Sequence, residues 1–388
     1  MPEPLTPAQL AHALAVRDLT DRAAGPHAIQ LVVERAVEAL ADRWSCAVRW
    51  WPGERIVTVA DNYDHLGYDP ADVTRDARYT RYVDQDHVLR SHSTAMVPAA
   101  LRSLAESPVD DVLLVCPGVV YRRDSIDRLH SGTPHQLDLW RLTRGRTTTR
   151  ADLEDMVAAL VPGRNRRLET RRHPYTVDGA QLDVEHDGRW VEVAECGLAH
   201  PAVLECAGLD GTWSGLALGM GLDRMLMLLK GIPDIRLLRS AEPAVAAQMT
   251  DLAPYRPVSA LPPVRRDLSI AVAADDRAED LGDRVRDALG DDADVVESVE
   301  IRQETPGAEL PPPALARLGA RRDQKNLLVR LVLRPLDRTL SDHEANVLRD
   351  RVYAALHQGD VHQWAGSGLQ APDRERGEAP GSRDARRR

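Results

Sequence analysis

Residues 112–140 have the sequence VLLVCPGVVYRRDSIDRLHSGTPHQLDLW, and this stretch determines the fold class. A short apolar run at 112–115 is extended beyond a Pro-Gly break by 118–122, and a second run follows a polar loop at 135–140. Short apolar or alternating runs bounded by Gly, Pro and polar residues are typical of β-strands. The stretch therefore predicts two strands of an antiparallel hairpin joined by a long polar loop.

The elements around this hairpin indicate an α+β fold. Apolar residues at helical spacing predict helices over 25–45, 150–160 and 222–230. Alternating patterns predict further strands at 181–185 and 190–194. Because strands follow strands here without an intervening helix, we expect an antiparallel sheet flanked by helices rather than a βαβ succession.

A second, smaller unit is predicted after a boundary near residues 240–258. Its elements come in the order strand, helix, strand, strand, helix, at 266–272, 278–289, 295–302, 327–333 and 341–357. This order predicts a small α/β sandwich. The segment 366–388 is rich in Pro, Gly, Arg and acidic residues, and we expect it to be disordered.

The composition excludes several classes of protein. The chain has 388 residues, a formal net charge of −10, and no Phe among its 4% aromatic residues. It has no apolar run long enough to span a membrane, and its first residues lack the features of a signal peptide, so we expect a cytoplasmic protein that does not bind membranes. The four Cys are scattered without zinc-site spacing. The negative charge excludes nucleic-acid binding by bulk charge alone.

Polar side chains of the predicted hairpin indicate a candidate site. Arg122 and Asp124 would share one face of the first strand, and Gln136 and Asp138 one face of its partner, because alternate residues of a strand point to the same side. His130 lies on the connecting loop. The face is either a solvated surface or a site for a ligand with anionic and cationic parts. Arg suits phosphate, whereas a carboxylate and an amide oxygen suit an ammonium group.

A glycine-rich segment, GMGLDR at 219–224, opens the predicted helix over 222–230. Glycine allows the backbone to approach a ligand, and a helix N-terminus favours phosphate, although such a segment also serves for packing alone. Arg224 lies in the first turn, where a cation is unfavourable. We therefore expect Arg224 to have an anionic partner.

Taken together, these segments resemble phenylalanyl-tRNA synthetase, a class II aminoacyl-tRNA synthetase. The segments that carry the resemblance are 120–127 with 130 and 135–138 (motif 2), 219–224 followed by 231–236 (motif 3), and LRSHSTA at 89–95 (the amino-acid-binding segment). Residues 265–269 and 337–342 are similar to parts of the ferredoxin-fold anticodon-binding domain of the family. The resemblance covers most of 25–360 and is to the compact single-chain form.

The resemblance implies a class II antiparallel sheet flanked by helices and a small C-terminal ferredoxin-like α/β sandwich. The segments it implies are an N-terminal extension at 1–24, a catalytic domain at 25–245, an anticodon-binding-like domain at 254–362 and the disordered tail at 366–388.

The resemblance also implies a role for each candidate residue. Arg122, His130 and Arg224 would be catalytic and would hold the phosphates of ATP. Asp124, Glu192 and Asp223 would also bind ATP, and Glu192 and Asp223 would bind Mg²⁺. The amino acid would be bound by His92, Thr94, Gln136, Asp138, His173, Tyr175, Glu195 and Ala217.

The predicted side-chain pocket departs from the family pattern. His173 and Tyr175 stand where the family has two Phe, Glu195 replaces a Gly, and Ala217 matches a small residue. Imidazole and phenol rings stack as Phe does, but each brings a polar group that needs a partner. The Glu195 carboxylate could fill the pocket, pair with His173 or contact a polar substrate, or both Glu195 and His173 could face solvent.

Three functions are consistent with this sequence. The first is a phenylalanine–tRNA ligase-like enzyme that activates Phe or a related aromatic amino acid with ATP and transfers it to tRNA. The second is a paralogue that activates a different amino acid or uses another acceptor, and the third is an inactive sensor of amino acid or tRNA. The resemblance implies ATP, Mg²⁺, a tRNA partner and a monomer or homodimer. Arg clusters at 164–172 and 321–338 are either basic faces for tRNA or solvated surface.

Overall fold

The computed structural model describes residues 4–76, 79–257, 261–336 and 338–365. Its strands are β1 (Ala47–Trp50), β2 (Ile56–Thr58), β3 (Arg81–Tyr82), β4 (His87–Leu89), β5 (Asp111–Val119), β6 (His135–Arg144), β7 (Arg166–Thr170), β8 (Thr176–His186), β9 (Arg189–Ala199), β10 (Trp213–Gly221), β11 (Val264–Ala273), β12 (Val296–Pro306) and β13 (Gln324–Leu333). The predicted disordered tail at 366–388 lies outside the described residues.

The α-helices alternate with these strands in the chain. They are α1 (Pro7–Ala15), α2 (Ala28–Trp44), α3 (Val59–Asn62), α4 (Val97–Glu106), α5 (Arg150–Leu160), α6 (Pro201–Cys206), α7 (Leu222–Lys230), α8 (Pro243–Ala246), α9 (Ala278–Leu289), α10 (Pro312–Leu318) and α11 (Asp342–Leu356). Within the described ranges, none of the helices has the length and apolar character needed to cross a membrane.

The N-terminal unit is built on one seven-stranded sheet in the order β1-β5-β6-β10-β9-β8-β7. All neighbours are antiparallel except β1 and β5. Helices α2, α5 and α7 cover one face, and α4 and α6 cover part of the other. The prediction of an antiparallel sheet flanked by helices is confirmed.

Burial of the sheet on both faces explains the apolar run at its centre. Leu113 and Val115 of β5 face the core beneath α2, α5 and α7. Leu114 and Cys116, the alternate residues, face the core beneath α4 and α6. A strand covered on both sides reads as a continuous apolar run, which is what residues 112–116 show.

The hairpin is shorter than predicted. The strand β5 ends at Val119, and only two backbone bonds continue the pairing: the Val120 N–H donates to the Pro134 carbonyl at 2.8 Å and the Arg122 N–H to the Gly132 carbonyl at 3.1 Å. Arg122 and Asp124 therefore do not lie on a strand, and the predicted shared strand face is wrong. The loop leaves the sheet because its backbone binds the C-terminal unit, as described below.

Two predicted helices show the expected end chemistry. Thr149 caps α5, and its side chain accepts from the Asp152 N–H while Asp152 reaches back to the Thr149 N–H. Such a reciprocal cap satisfies two otherwise free backbone donors. Helix α7 ends at Gly231, which has a left-handed backbone with a φ of 67° that glycine adopts without strain.

The C-terminal unit has the predicted strands and its two long helices, α9 and α11, but a short helix that was not predicted, α10, lies between β12 and β13. Its sheet has the strand order β11-β13-β12, and α9 and α11 pack over a core of Leu, Ile and Val side chains on one face. Beside β11, the Gln358 N–H donates to the Ala271 carbonyl at 2.8 Å. The β-α-β-β-α order with two helices on one face is an α/β sandwich.

The two units meet at the loop that follows β5. Asp283 of α9 accepts from Arg81 Nη2 at 3.1 Å, and its other oxygen lies 3.1 Å from Arg123 Nε. Arg286, one turn further along α9, donates to the Asp124 carbonyl at 2.6 Å. The Ile126 side chain belongs to the core of the C-terminal unit. The loop is thus held by charges and by an apolar anchor from the other unit.

We predict that Asp283→Ala will loosen the C-terminal unit from the N-terminal unit. The change leaves Arg81 and Arg123 without their shared acceptor, and the loss of one partner of a buried ion pair costs about 3–5 kcal/mol. We expect a larger radius of gyration by small-angle X-ray scattering and faster trypsin cleavage between the units. Asp287→Ala, at an exposed position on the same helix, should change neither. An unchanged radius for the Asp283 variant would contradict this interface.

Candidate functional site

A cavity of about 480 Å³ opens above the β6, β9 and β10 end of the large sheet. Its walls come from these strands, the loop after β5, the segment before α4 and the start of α7. The predicted site residues on its wall are His92, Thr94, Arg122, His130, Gln136, Asp138, Tyr175, Glu192, Glu195, Asp223 and Arg224. Residues predicted from five separate segments of sequence are therefore brought to one cavity.

The register of three neighbouring strands sets the floor of the cavity. Gly219 of β10 is directly opposite Asp138 of β6 on one side and Glu195 of β9 on the other. Directly opposite residues of antiparallel strands point to the same face, so the two carboxylates flank a glycine. A Cβ at position 219 would lie 3.6 Å from Asp138 Oδ2, so the bare glycine leaves the space beside that carboxylate open.

Asp138 is a buried carboxylate held by three donors. It is 1% exposed and accepts from the Ser93 hydroxyl, from Thr94 Oγ1 at 3.2 Å and from Trp140 Nε1 at 3.1 Å. Burial raises the pKa of Asp138 to about 6, although these hydrogen bonds oppose the shift. The carboxylate has no cationic partner among the described side chains, so an ammonium group of a ligand would complete it.

Two further polar groups stand beside Asp138. The Gln136 Oε1 accepts from the Ser93 N–H at 3.0 Å, which fixes the amide at the cavity wall. Neither ring nitrogen of His92 has a hydrogen-bond partner among the described residues. Burial lowers the pKa of His92 to about 4, so its imidazole is neutral at physiological pH.

The opposite end of the cavity carries cations. Arg122 is 41% exposed and its Nε lies 3.5 Å from Asp124 Oδ2. His130 Nδ1 lies 2.7 Å from Asp127 Oδ2, and this hydrogen bond raises the pKa of His130 above its usual value. This end of the cavity is therefore suited to phosphate oxygens.

The anionic partner that the sequence predicted for Arg224 is not found among the described residues. Arg224 donates to a backbone carbonyl, that of Glu192, at 3.1 Å, and it has no carboxylate contact among the described residues. Its guanidinium lies on the cavity wall at the start of α7. An anionic ligand in the cavity would supply the missing partner.

Asp223 is bound to His135, a residue that the sequence analysis did not select. The Leu19 N–H donates to His135 Nε2 at 3.1 Å, so the ring proton is on Nδ1, which donates to Asp223 Oδ1 at 2.9 Å. The other oxygen of Asp223 accepts from the His135 N–H. Burial would raise the pKa of Asp223, but its contacts with His135 hold it below the usual value.

The two residues predicted to bind Mg²⁺ differ in their availability. The Glu192 carboxylate lies on the cavity wall and has no hydrogen bond or ion pair within the described part of the chain. Both oxygens of Asp223 are already occupied by His135. In the ranges that the structure describes, no group of three His, Cys, Asp or Glu side chains is arranged to hold a metal ion.

The pocket beyond Gly219 is lined by aromatic rings and by Glu195. His173 and Tyr175 stack at 5.7 Å between ring centres, and Tyr68 lies 6.4 Å from Tyr175. His173 Nε2 lies 3.3 Å from Glu195 Oε1. This contact with His173 holds the pKa of Glu195 below its usual value. The structure thus supports the pairing of Glu195 with His173.

Three predicted site residues do not reach the cavity wall. Ala217 is fully buried in the core with Trp140 and Tyr175, so it leaves no open space for a substrate ring. Asp124 stands behind Arg122 and His173 behind Glu195.

Four further residues in or beside the cavity were not predicted from the sequence: Ser93, Trp140, His135 and Tyr68. Ser93 lies inside the quoted segment at 89–95, and Trp140 shares the face of Asp138 on β6, so strand alternation would have found it. Tyr68 lies in no motif, and nothing in the sequence indicates that it contacts the pocket.

A family model described as "tRNA synthetases class II core domain (F)" matches residues 20–249. The chain belongs to this class II tRNA synthetase family. The matched residues include β1 and β5–β10 and the whole cavity wall. The confirmed fold, a large antiparallel sheet flanked by helices, is therefore the class II synthetase core.

Similar relatives of this chain include the same ligase subunit from two bacteria. The phenylalanine–tRNA ligase alpha subunit of Prochlorococcus marinus (strain MIT 9313) is 35% identical over 193 residues, which are 49% of this chain and 56% of the relative. That of Nostoc punctiforme is 30% identical over 219 residues, 56% of this chain and 64% of the relative. The chain thus spans between half and two thirds of the length of these relatives.

A solved structure is also similar to this synthetase core. The structure of Desulfitobacterium hafniense PylSc, a pyrrolysyl tRNA synthetase, matches 60% of this chain and 77% of its own chain, with 18% identity and a TM-score of 0.43.

We predict that Asp138→Asn will stabilise the ligand-free synthetase core above pH 6. The folded pKa of about 6 lies above the 3.8 of an exposed aspartate, so the folded state holds a proton that the unfolded state releases. Wild-type stability therefore falls, relative to the variant, as pH rises from about 4 through 6, by about 2–3 kcal/mol in total. The hydroxyls of Ser93 and Thr94 can turn to accept from the new amide.

Urea unfolding of both proteins between pH 4 and pH 8 measures this difference. The two curves should run together at pH 4 and separate toward pH 8. A constant separation over the whole range would show that Asp138 is ionised throughout.

Proposed function

We propose that this chain activates an aromatic amino acid, Phe or a relative, with ATP as an aminoacyl-adenylate and then transfers it to tRNA. The observation that carries the proposal is the pairing of opposite chemistries in one cavity. Arg122, His130 and Arg224 stand at one end, and Asp138 with Gln136 at the other. ATP and an amino acid present the complementary groups, phosphates and an ammonium.

The proposed first step needs positioning rather than a protein nucleophile. A carboxylate oxygen of the amino acid attacks the α-phosphorus of ATP, and the bond from that phosphorus to the bridging oxygen breaks, releasing pyrophosphate. Arg122 would stabilise the charge on the α-phosphate during attack, while His130 and Arg224 would hold the departing phosphates. Donors fixed before the reaction stabilise such charge without reorganisation.

We propose Mg²⁺ as the accompanying ion. Mg²⁺ is typically bound by one or two carboxylates together with substrate phosphates, and when bound it neutralises phosphate charge. Glu192 fits this role because its carboxylate has no partner within the described residues and lies on the cavity wall. Asp223 would act mainly by fixing His135 and the start of β6.

The presence of the C-terminal unit supports tRNA as the acceptor. The charge of that unit does not. The predicted basic face at 321–338 is largely neutralised, because Lys325 pairs with Glu304, Arg330 with Asp267, and Arg334 with Glu297. The second Arg cluster, at 164–172, includes the exposed edge strand β7. We propose this edge as the surface that meets a polyanion.

We predict that Arg122→Ala will reduce amino-acid-dependent ATP–pyrophosphate exchange by at least about 100-fold. The folded structure should persist, because the side chain is 41% exposed and its ion pair with Asp124 is long. Exchange is measured first with a panel of amino acids and then, for the best substrate, by charging of total tRNA. Circular dichroism and the melting temperature report on folding.

Arg35→Ala is the matched control for this experiment. Arg35 is exposed on α2 and lies outside the cavity wall, so its loss should leave exchange unchanged. Exchange of the Arg122 variant within tenfold of the wild type would remove Arg122 from the reaction. Failure of the wild type to exchange with any amino acid would overturn the proposed activity and favour a sensor that binds ligand without chemistry.

A further inference from the structure

We propose that the amino-acid pocket selects an aromatic amino acid whose ring carries a hydrogen-bond donor, and that Glu195 is the acceptor that recognises it. This inference rests on the proposed function and names the substrate class of the same site. Phenylalanine, which has no ring donor, is then a poor substrate.

The strand register places Glu195 beside the position proposed for the substrate, and Glu195 lies on the cavity wall. An ammonium at Asp138 places the amino acid above Gly219. Along the strand, the space above Ala217 is filled, because Ala217 is fully buried against Trp140 and Tyr175. Across the sheet, Gly219 has no side chain and the next residue is Glu195.

The span between the two carboxylates suits an aromatic amino acid. Asp138 and Glu195 are two strands apart, and neighbouring strands are about 4.8 Å apart. A substrate bound by its ammonium at Asp138 therefore presents the far end of its ring to Glu195. A hydroxyl or amino group at that end can donate a hydrogen bond to the Glu195 carboxylate. A C–H group at the same position would remove water from the carboxylate without replacing the hydrogen bond.

Glu195 is held as an ionised acceptor at the cavity. Its side chain is 42% exposed, and His173, whose own side chain is only 9% exposed, lies 3.3 Å from it on the side away from solvent. His173 Nδ1 is in turn 3.4 Å from Thr176 Oγ1, and its ring stacks on Tyr175. The carboxylate is thus oriented from behind, and part of it remains free toward the cavity.

A second, independent observation indicates a polar ligand. The two ring nitrogens of His92 are buried without a hydrogen bond among the described residues, whereas His173 Nε2 already lies 3.3 Å from Glu195 Oε1. Buried polar atoms in proteins normally have a hydrogen-bond partner, and a buried polar atom without one destabilises the folded state. A phenyl ring packed among them would leave them unsatisfied, whereas a substrate with polar groups gives them a partner.

The expected discrimination is large. A site built to hydrogen-bond a substrate hydroxyl rejects the analogue that lacks it by up to about 10⁵-fold. Because Glu195 is partly exposed, we expect a preference of at least about 100-fold for Tyr over Phe. The donor is what matters, so 4-aminophenylalanine should behave as Tyr does, and 4-methoxyphenylalanine, which keeps the oxygen but not the donor, as Phe does.

The experiment measures kcat/KM for ATP–pyrophosphate exchange with these four amino acids in the full-length protein. Glu195→Ala should bring Tyr and Phe within about tenfold of each other by lowering the value for Tyr. Glu195→Gln keeps a neutral acceptor oxygen and should retain part of the preference. Glu169→Ala is the matched control: Glu169 lies in the same cross-strand row, beyond Gln181 at the edge of the sheet, and should change nothing.

The outcomes separate this inference from the proposed function. A wild type that uses Phe as well as Tyr, or a Glu195→Ala variant that keeps the full preference, overturns the inference and leaves the ligase activity standing. Exchange with none of the amino acids overturns both. The exchange rate with the best substrate shows that each variant is folded. The ratio of kcat/KM for Tyr to kcat/KM for Phe decides whether the inference holds.

Discussion

The register of β6, β10 and β9 is the constraint on which the site depends. It sets Asp138, Gly219 and Glu195 side by side on one face of the sheet. A slip of one residue in any of these strands would turn the carboxylates to the opposite face, which is buried under helices. Burial of both faces therefore fixes the register, and the register fixes the chemistry of the cavity.

The phosphate end of the cavity depends on a different part of the chain. Arg122 and His130 lie on a loop that belongs to neither strand, and its backbone is bound by Arg286 through the Asp124 carbonyl at 2.6 Å. The Ile126 side chain adds an apolar anchor in the core of the C-terminal unit. The position of the C-terminal unit and the shape of the proposed ATP site are thus coupled through one loop.

Sequence patterns predicted the parts of this structure that depend on local chemistry. A few neighbouring residues determine each of these features: the apolar run of β5, the cap at Thr149 and the end of α7 at Gly231. The patterns failed where distant contacts decide. The loop after Val119 leaves the sheet because a helix more than 150 residues later binds it, and no periodicity carries that information.

The same distinction applies within the candidate site. The segments that line the cavity were predicted partly from their residue types and partly from the family resemblance, but the partner of each side chain was not predicted. Asp223 is occupied by His135, 88 residues away, and Ala217 is covered by Trp140 of a neighbouring strand. Whether a polar side chain is available to a ligand depends on these partners, which only the packing determines.

The absence of Phe links the core to the pocket. Three buried aromatic rings of the described residues carry a polar atom that has a partner: Trp140 Nε1 donates to Asp138 at 3.1 Å, the Tyr63 hydroxyl to the Thr74 carbonyl at 2.9 Å, and Tyr121 accepts from Arg55 at 3.2 Å. Rings that pack and also hydrogen-bond specify orientation more tightly than phenyl rings do. In the pocket the same substitution puts imidazole, phenol and carboxylate around the substrate. The side chains that take the place of Phe in this pocket can form hydrogen bonds, and this chemistry is the basis of the proposed preference against Phe as the substrate.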